Sequence, residues 1–419
     1  MRENCKHIFA GLTHDSSHEC AADDYQSEEE RVDMADLKVN FAGVDFRNPL
    51  VLASATPGWD GLHLKEAGEA GMGAVIPKTI GPLQDWAAHP RNGRMFLYRV
   101  GNSKRPIGMI NMELFTTKSR DEWIAKDLSV ARQGGAKIFA SILAMPEPEQ
   151  TAELASQIEA TGLVDLLELN ASCPMPASTV GMHIGKNPVL TSLQVKAAKS
   201  AIKLPLSVKL TPNVADMVEV AQAAVEAGVD AITISNSIRS FAGVDIESGR
   251  PNLRSYGGYT GPAIKPIIMR HFSEVARAVK VPLSAVGGVT SWQEVVEYIM
   301  LGASCVQVAT TIMWNGLGKV AEILQGLSEF MDRKGYRSID DFRGIALPYI
   351  TTVEELAKEA PRFASIDQTL CRNCDICARV CFYGAIKQQD GQVLADRSCC
   401  DGCGLCAQWC PAGAITLKE

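Results

Sequence analysis

The sequence has no surplus of positive charge. Its 419 residues carry 41 Lys and Arg against 48 Asp and Glu, a formal net charge of -7. The imbalance sits at one end. Residues 1–36 hold ten acidic residues, from Glu3 to Asp36, against Arg2, Lys6 and Arg31, and the rest of the chain is balanced. A neutral body with an acidic arm argues against phosphate-backbone binding, which needs a basic surface. It also argues against a transit peptide, which would be Arg-rich and acid-poor. No signal peptide is visible. A membrane span is missing too: the longest uncharged run, Tyr298 to Gly318, is interrupted by Ser304, Gln307, Thr310, Thr311, Asn315 and three glycines. That run reads as a buried strand with flanking turns, and the protein as cytoplasmic. Finally, no G-x-G-x-x-G opens a helix. Gly71-x-Gly73 precedes its strand instead of following it, so no nicotinamide site is evident.

What is present is an ordinary globular composition, 46% hydrophobic and 21% charged, with 35 glycines. The glycines mark a loose internal repeat. Gly71, Gly135, Gly162, Gly228 and Gly302 each close a helix-like stretch, and four residues later an apolar run is under way. Each suits the left-handed position just past a helix end. Between them the periodicity is helical, as in Ala215 to Ala227, where Met217, Val218, Ala221, Ala224 and Val225 form one apolar stripe. Adding Leu50–Ser54, Leu206–Leu210 and Leu283–Gly287 gives eight strand candidates, near-continuous apolar runs that alternate with helices. That pattern belongs to a parallel sheet covered on both faces. Eight units over about 300 residues favour an α/β fold of the (β/α)8 TIM-barrel type over an open Rossmann-like sheet.

The expected organisation is an acidic, flexible arm (1–36), a barrel (37–350), a linker (351–364) with a short connecting helix at Val353–Ala360, and a cysteine-rich domain (365–419). Nine of the 13 cysteines lie between Cys371 and Cys410. Cys371, Cys374, Cys377 and Cys381 form C-x2-C-x2-C-x3-C. Cys400, Cys403, Cys406 and Cys410 repeat it, followed by Pro411. This is the bacterial ferredoxin run for two 4Fe–4S clusters, in which the fourth thiolate reaches across to the other cluster. One cluster then takes Cys371, Cys374, Cys377 and Cys410, and the other Cys400, Cys403, Cys406 and Cys381. Paired C-x2-C units also build zinc ribbons, but two complete runs with the x3 step favour iron and sulfur. Phe382 stands where Pro often follows, and Cys399 reads as a bystander.

Barrel active sites lie at the C-terminal ends of the strands. Those ends carry Lys78-Thr79, Asn170, Lys209, Ser235-Asn236, Gly287-Gly288 and Ala309-Thr310. Two lysines at one mouth suit an anionic cofactor, and glycines with a hydroxyl after strands seven and eight suit its phosphate. Just after strand four comes Asn170-Ala171-Ser172-Cys173-Pro174. With N-P-L-V-L-A-S at Asn48–Ser54, K-T at Lys78, N-M-E at Asn111–Glu113, K-L-T-P-N at Lys209–Asn213, S-N-S at Ser235–Ser237, Y-T-G at Tyr259–Gly261 and Gly287-Gly288, the chain resembles the dihydroorotate dehydrogenase fold family. Within it, the chain is most similar to the FMN- and iron–sulfur-containing subunit of the bacterial NAD-dependent dihydropyrimidine dehydrogenases, over about residues 37–419.

The resemblance implies FMN on the barrel mouth, touching Ala53, Ser54, Lys78, Thr79, Asn111 and Lys209. The phosphate would lie against Gly261, Gly287, Gly288, Ala309 and Thr310. A pyrimidine would be held by Asn111, Glu113, Asn170, Asn236 and Ser237, amides suiting a ring of alternating donors and acceptors. Cys173 would move the proton that accompanies hydride transfer at the C5–C6 bond, a thiol of ordinary pKa being a serviceable acid. Cys305 reads as a buried structural thiol. Met175 departs from the family, whose members tend to carry a polar side chain there, and Ser237 replaces a common Thr. With no dinucleotide motif of its own, the chain needs an outside electron source. The resemblance implies a separate FAD/NAD(P)H-binding reductase subunit in a hetero-oligomer, around a dimeric barrel core. Competing expectations are reduction of another conjugated substrate, a dihydroorotate dehydrogenase, tRNA dihydrouridine synthesis, and a catalytically silent electron relay.

Overall fold

The computed structural model describes residues 35–81, 93–174 and 180–419. Almost all of the acidic arm, and Met175, lie outside the described residues. Eight parallel strands close a barrel in sequence order: β1 (Leu50–Leu52), β2 (Ala74–Val75), β3 (Lys137–Leu143), β4 (Leu166–Asn170), β5 (Leu206–Lys209), β6 (Ala231–Ile234), β7 (Leu283–Val286) and β8 (Ala303–Val308). Every neighbouring pair is parallel, and β8 closes onto β1 through Val306–Val308 against Leu50–Leu52. These strands are the eight apolar runs of the sequence. They are buried on both faces because one face fills the barrel and the other carries a helix, so Leu50, Val51 and Leu52 are all fully buried, as are the polar Ser141, Glu168, Ser207 and Gln307.

The helices between strands start on short polar caps. Asp60 accepts from the His63 amide, Asp216 from Val218 and Glu219, and Ser291 forms a reciprocal box with Glu294. The five glycines of the repeat all have positive φ, from 66° at Gly162 to 111° at Gly71, the conformation that lets the chain leave a helix and enter a strand. The helix Met217–Glu226 buries Met217, Val220, Ala221 and Ala224. Its core face is thus rotated from the expected stripe: Val218 and Val225 sit at its edge, half-buried.

Three features depart from the strand pattern. A hairpin, Val39–Phe41 with Val44–Phe46, precedes the barrel and packs Phe41 against Phe139 near the start of β3. Pairing of β2 stops at Val75, so Lys78 and Thr79 stand on the following loop, tied by the Lys78 amide to the Gly58 carbonyl. The excursions after β2 and β6 meet in a four-stranded antiparallel sheet, ordered Ile238–Ser240, Gly257–Thr260, Gly108–Asn111, Met95–Tyr98. Asn111 at its centre pairs with Gly258 and Met95. Nothing in the local sequence pattern announces this sheet.

The connecting helix after the barrel is shorter than its sequence suggests, only Val353–Leu356, started by the Thr352 hydroxyl. Four residues are one turn, and no apolar face is buried to extend it. The cysteine-rich tail then folds with internal symmetry. Phe363–Ile366 pairs with Ile415–Lys418, Ile386–Gln389 pairs with Gln392–Ala395, and two short helices, Ile376–Val380 and Leu405–Trp409, pack together. Among the described residues no helix is long and apolar enough to cross a membrane.

Candidate active site

A cleft open to solvent lies at the C-terminal ends of the strands. Its lining includes Ala53, Ser54, Lys78, Thr79, Asn111, Glu113, Asn170, Cys173, Lys209, Asn236 and Ser237 on one side. Gly261, Gly287, Gly288, Ala309 and Thr310 complete it. Residues far apart in sequence thus meet in one place because most follow strands of one barrel, while Asn111, Glu113 and Gly261 come from strand ends of the antiparallel sheet beside it.

The polar side chains are held before any ligand arrives. Asn170 donates to Thr79 Oγ1 at 2.7 Å, and its oxygen accepts from the Ser172 amide and hydroxyl at 3.0 and 2.7 Å. Ser172 in turn accepts from Asn236 Nδ2 at 2.9 Å, and the Asn236 oxygen accepts from the Ser237 amide at 2.7 Å. One hydroxyl therefore locks the two amides of strands β4 and β6 together. Asn111 donates to the Gly258 carbonyl at 3.2 Å across the antiparallel sheet. Each amide can make four hydrogen bonds, so capacity remains for a ligand.

Glu113 is the most heavily partnered group. Its side chain is 5% exposed and accepts from Lys78 Nζ at 2.9 Å, from Arg94 Nε at 2.9 Å, and from the Thr56 hydroxyl. Burial pushes its carboxyl up, but the Lys78 charge and hydrogen bonds from Thr56, Lys78 and Arg94 outweigh that and hold it down at about 2. Burial also pulls the Lys78 ammonium below its ordinary value, and the facing carboxylate offsets this only in part. Cys173 is 6% exposed and packs against Phe115, Leu143, Met145 and Val180. Its carbonyl accepts from the Met182 amide at 3.0 Å, which folds the chain back over it. Cys305 is fully buried in β8, and burial pushes its thiol up to about 12, the state of an inert core thiol.

At the far end of the cleft the backbone turns without side chains. Gly287 and Gly288 have φ of 144° and 75°, and a Cβ at Gly288 would stand 2.6 Å from that of Lys265. Two buried polar atoms of cleft-lining residues, Trp314 Nε1 and Gln307 Oε1, have no hydrogen-bond partner. Unpaired buried donors and acceptors are costly, and a bound ligand is one way to satisfy them.

Sequence reasoning missed several residues that line the cleft or support those that do. Gln307 and Glu168 each carried a signal, a polar side chain inside an apolar strand run. Ser172 lay within the motif, but its bridging role did not show. Arg94, Thr56 and Trp314 carried none.

In the tail, one cavity is lined by Cys371, Cys374, Cys377 and Cys410, and a second by Cys381, Cys400, Cys403 and Cys406. Cys399 is exposed and lies outside both, next to Asp396. Backbone amides approach two of the thiols: Ala364 at 3.5 Å from Cys400 Sγ and Ala414 at 3.3 Å from Cys410 Sγ. Among the described residues, no three His, Cys, Asp or Glu side chains surround a single ion.

Closed parallel strands with a polar, lysine-bearing cleft at their C-terminal ends define a (β/α)8-barrel enzyme. The chain belongs to the dihydroorotate dehydrogenase family, which matches residues 36–331, and so to the oxidoreductases that act on CH–CH bonds. It is 35% identical over 311 residues to the catalytic subunit of dihydroorotate dehydrogenase B (NAD(+)) of Methanothermobacter thermautotrophicus, covering 74% of this chain and 98% of the relative. It is 31% identical over 358 residues to the NAD-dependent dihydropyrimidine dehydrogenase subunit PreA of Escherichia coli, covering 83% of this chain and 86% of the relative.

Proposed function

We propose that this chain interconverts a neutral pyrimidine, uracil or thymine, and its 5,6-dihydro form with FMN in the barrel cleft. Electrons would pass through two 4Fe–4S clusters in the tail to or from a separate FAD/NAD(P)H-binding subunit. The observation that carries the reading is the locked set of side-chain amides: Asn111, Asn170 and Asn236 line the cleft with spare hydrogen-bonding capacity for the alternating N–H and C=O groups of a pyrimidine. Glu113, ion-paired with Lys78 and Arg94, adds a carboxylate acceptor at the same cleft.

The cleft fits FMN on two grounds: the two buried lysines, and the unpartnered Trp314 and Gln307 atoms. Ala53, Ser54, Lys78, Thr79, Asn111 and Lys209 would hold the ring, and Gly261, Gly287, Gly288, Ala309 and Thr310 the phosphate. Bound FMN supplies hydride exchange at one substrate carbon. Lys209 places positive charge where the reduced ring is negative. Cys173 supplies the proton. In the reducing direction its S–H bond breaks as a C–H bond forms at the neighbouring carbon, and the thiolate is then reprotonated from solvent. Asn111, Asn170, Asn236 and Ser237, held by their own hydrogen bonds, fix the ring so that the thiol meets one carbon.

Each tail cavity presents four thiols, the donor set of a 4Fe–4S cluster, with amide N–H groups nearby of the kind that tune such clusters. A reductase partner follows from the absence of a dinucleotide motif, and both relatives are named as subunits. The test is anaerobic. Protein reduced beforehand is mixed with uracil, thymine or orotate, and reoxidation of the flavin is followed by its absorbance. Reoxidation by uracil or thymine is expected. Reoxidation by orotate alone would overturn the substrate class.

A further inference from the structure

A second carboxylate lies under the cleft, and no step above uses it. Glu168 is fully buried in β4, two residues before Asn170. Alternation along a strand puts both side chains on the barrel interior, with Glu168 one layer deeper. In register, Asn170 stands beside Lys209 of β5, and Glu168 beside Ser207. Lys209 Nζ lies 3.8 Å from Glu168 Oε1. Opposite, Gln307 Nε2 comes within 3.4 Å of Glu168 Oε2, and Oε1 has no hydrogen bond at all. A dry carboxylate so thinly solvated is held by one cation. Packing alone would be served better by an uncharged residue of the same volume.

We infer that Glu168 is a positioning residue: it holds the Lys209 ammonium at the cleft floor and, by offsetting its charge, sets how strongly the floor attracts negative charge on the bound ring. The inference rests on the reading that the cleft takes FMN. Lys209 alone would favour the reduced, negatively charged ring without restraint. The carboxylate behind it weakens that field, because a charge one layer further from the ring still acts across a dry interior. The pair therefore tunes the flavin between its two oxidation states instead of fixing it in one.

The test uses the purified holoprotein with E168Q, K209M and the double variant. Flavin released on denaturation, the flavin midpoint potential and the affinity for sulfite are measured for each. Sulfite is a suitable probe because its lone pair forms an N–S bond at flavin N5 and the displaced pair settles as negative charge around N1 and O2. In E168Q, sulfite is expected to bind about tenfold tighter and the midpoint to move positive. K209M should shift both the other way. E168Q with parental flavin content, unchanged midpoint and unchanged sulfite affinity would overturn the inference.

A variant that folds poorly or loses flavin is covered by thermal unfolding of the flavin-free proteins. K209M strands a buried carboxylate, so the double variant should melt higher than K209M. A double variant no more stable than K209M refutes the pairing. A parent protein that carries no flavin would defeat the FMN reading instead, while the melting comparison still decides whether the two residues act together.

Discussion

The barrel and the cysteine-rich tail build their sites in opposite ways. The barrel has one large apolar core, running from Phe41 to Phe342, that owes nothing to the groups at its mouth. Its cleft sits on a finished scaffold, with the polar side chains locked by one another. The tail has a core of Ala364, Ile386, Val393 and Ile415, and the other buried members are the thiols Cys377 and Cys406. A region this small seldom buries enough apolar surface to fold alone and leans on metals or cross-links. With FMN and 4Fe–4S clusters in place as proposed, the barrel is expected to keep its shape without its cofactor, and the tail to lose its shape without the clusters.

The sharpest way to break that contrast is to remove the iron of the proposed clusters. Chelation under reducing conditions, or Cys374→Ala with Cys403→Ala, should unfold the tail and abolish electron exchange with any partner. The barrel should keep its flavin and its melting transition, as differential scanning calorimetry of the same sample would reveal. Next in size, Cys173→Ala should lower turnover by roughly 100- to 10,000-fold while flavin and cluster absorbance stay intact. Undiminished turnover would make another group the acid. Glu113→Gln should weaken uracil binding by about 2 kcal/mol, roughly 30-fold in KM, as steady-state kinetics would measure.

Smaller changes sharpen the same comparison. Gly288→Ala forces a side chain onto a φ of 75° and against Lys265, and should cost the barrel about 1–3 kcal/mol in thermal unfolding without touching the tail. The smallest effect is one of pH. The folded pKa of Glu113, about 2, lies below the ordinary carboxylate value of 4.5, so its ionised form favours the folded state. That contribution is complete above about pH 4.5 and disappears as pH falls through about 2. Parent and Glu113→Gln melting temperatures should converge over that window. Convergence at higher pH would mean the carboxylate is not held by Lys78 and Arg94.

Much of the fold was legible because its signals are local. An apolar run flanked by a positive-φ glycine makes one β/α unit wherever it falls, and eight such units close a barrel. The cleft residues that follow barrel strands, such as Asn170, Lys209 and Asn236, were legible for the same reason, whereas Asn111, Glu113 and Gly261 came only through the family resemblance. What escaped was whatever joins distant segments. The antiparallel sheet couples Gly108–Asn111 to Gly257–Thr260, and neither stretch betrays the other. The Ser172 bridge between Asn170 and Asn236 and the Arg94 and Thr56 contacts of Glu113 are of that kind.

The sequence by itself determined how many barrel strands there are, which residues stand near their ends, and how the thiols are spaced, because those follow from periodicity and covalent order. Only the tertiary structure decided which charges face each other: Glu113 to Lys78 and Arg94, Glu168 to Lys209. Local pattern sets the face a side chain occupies. The distance between two faces depends on the closure and curvature of the whole barrel, and an ion pair is made or lost within an ångström or two of it.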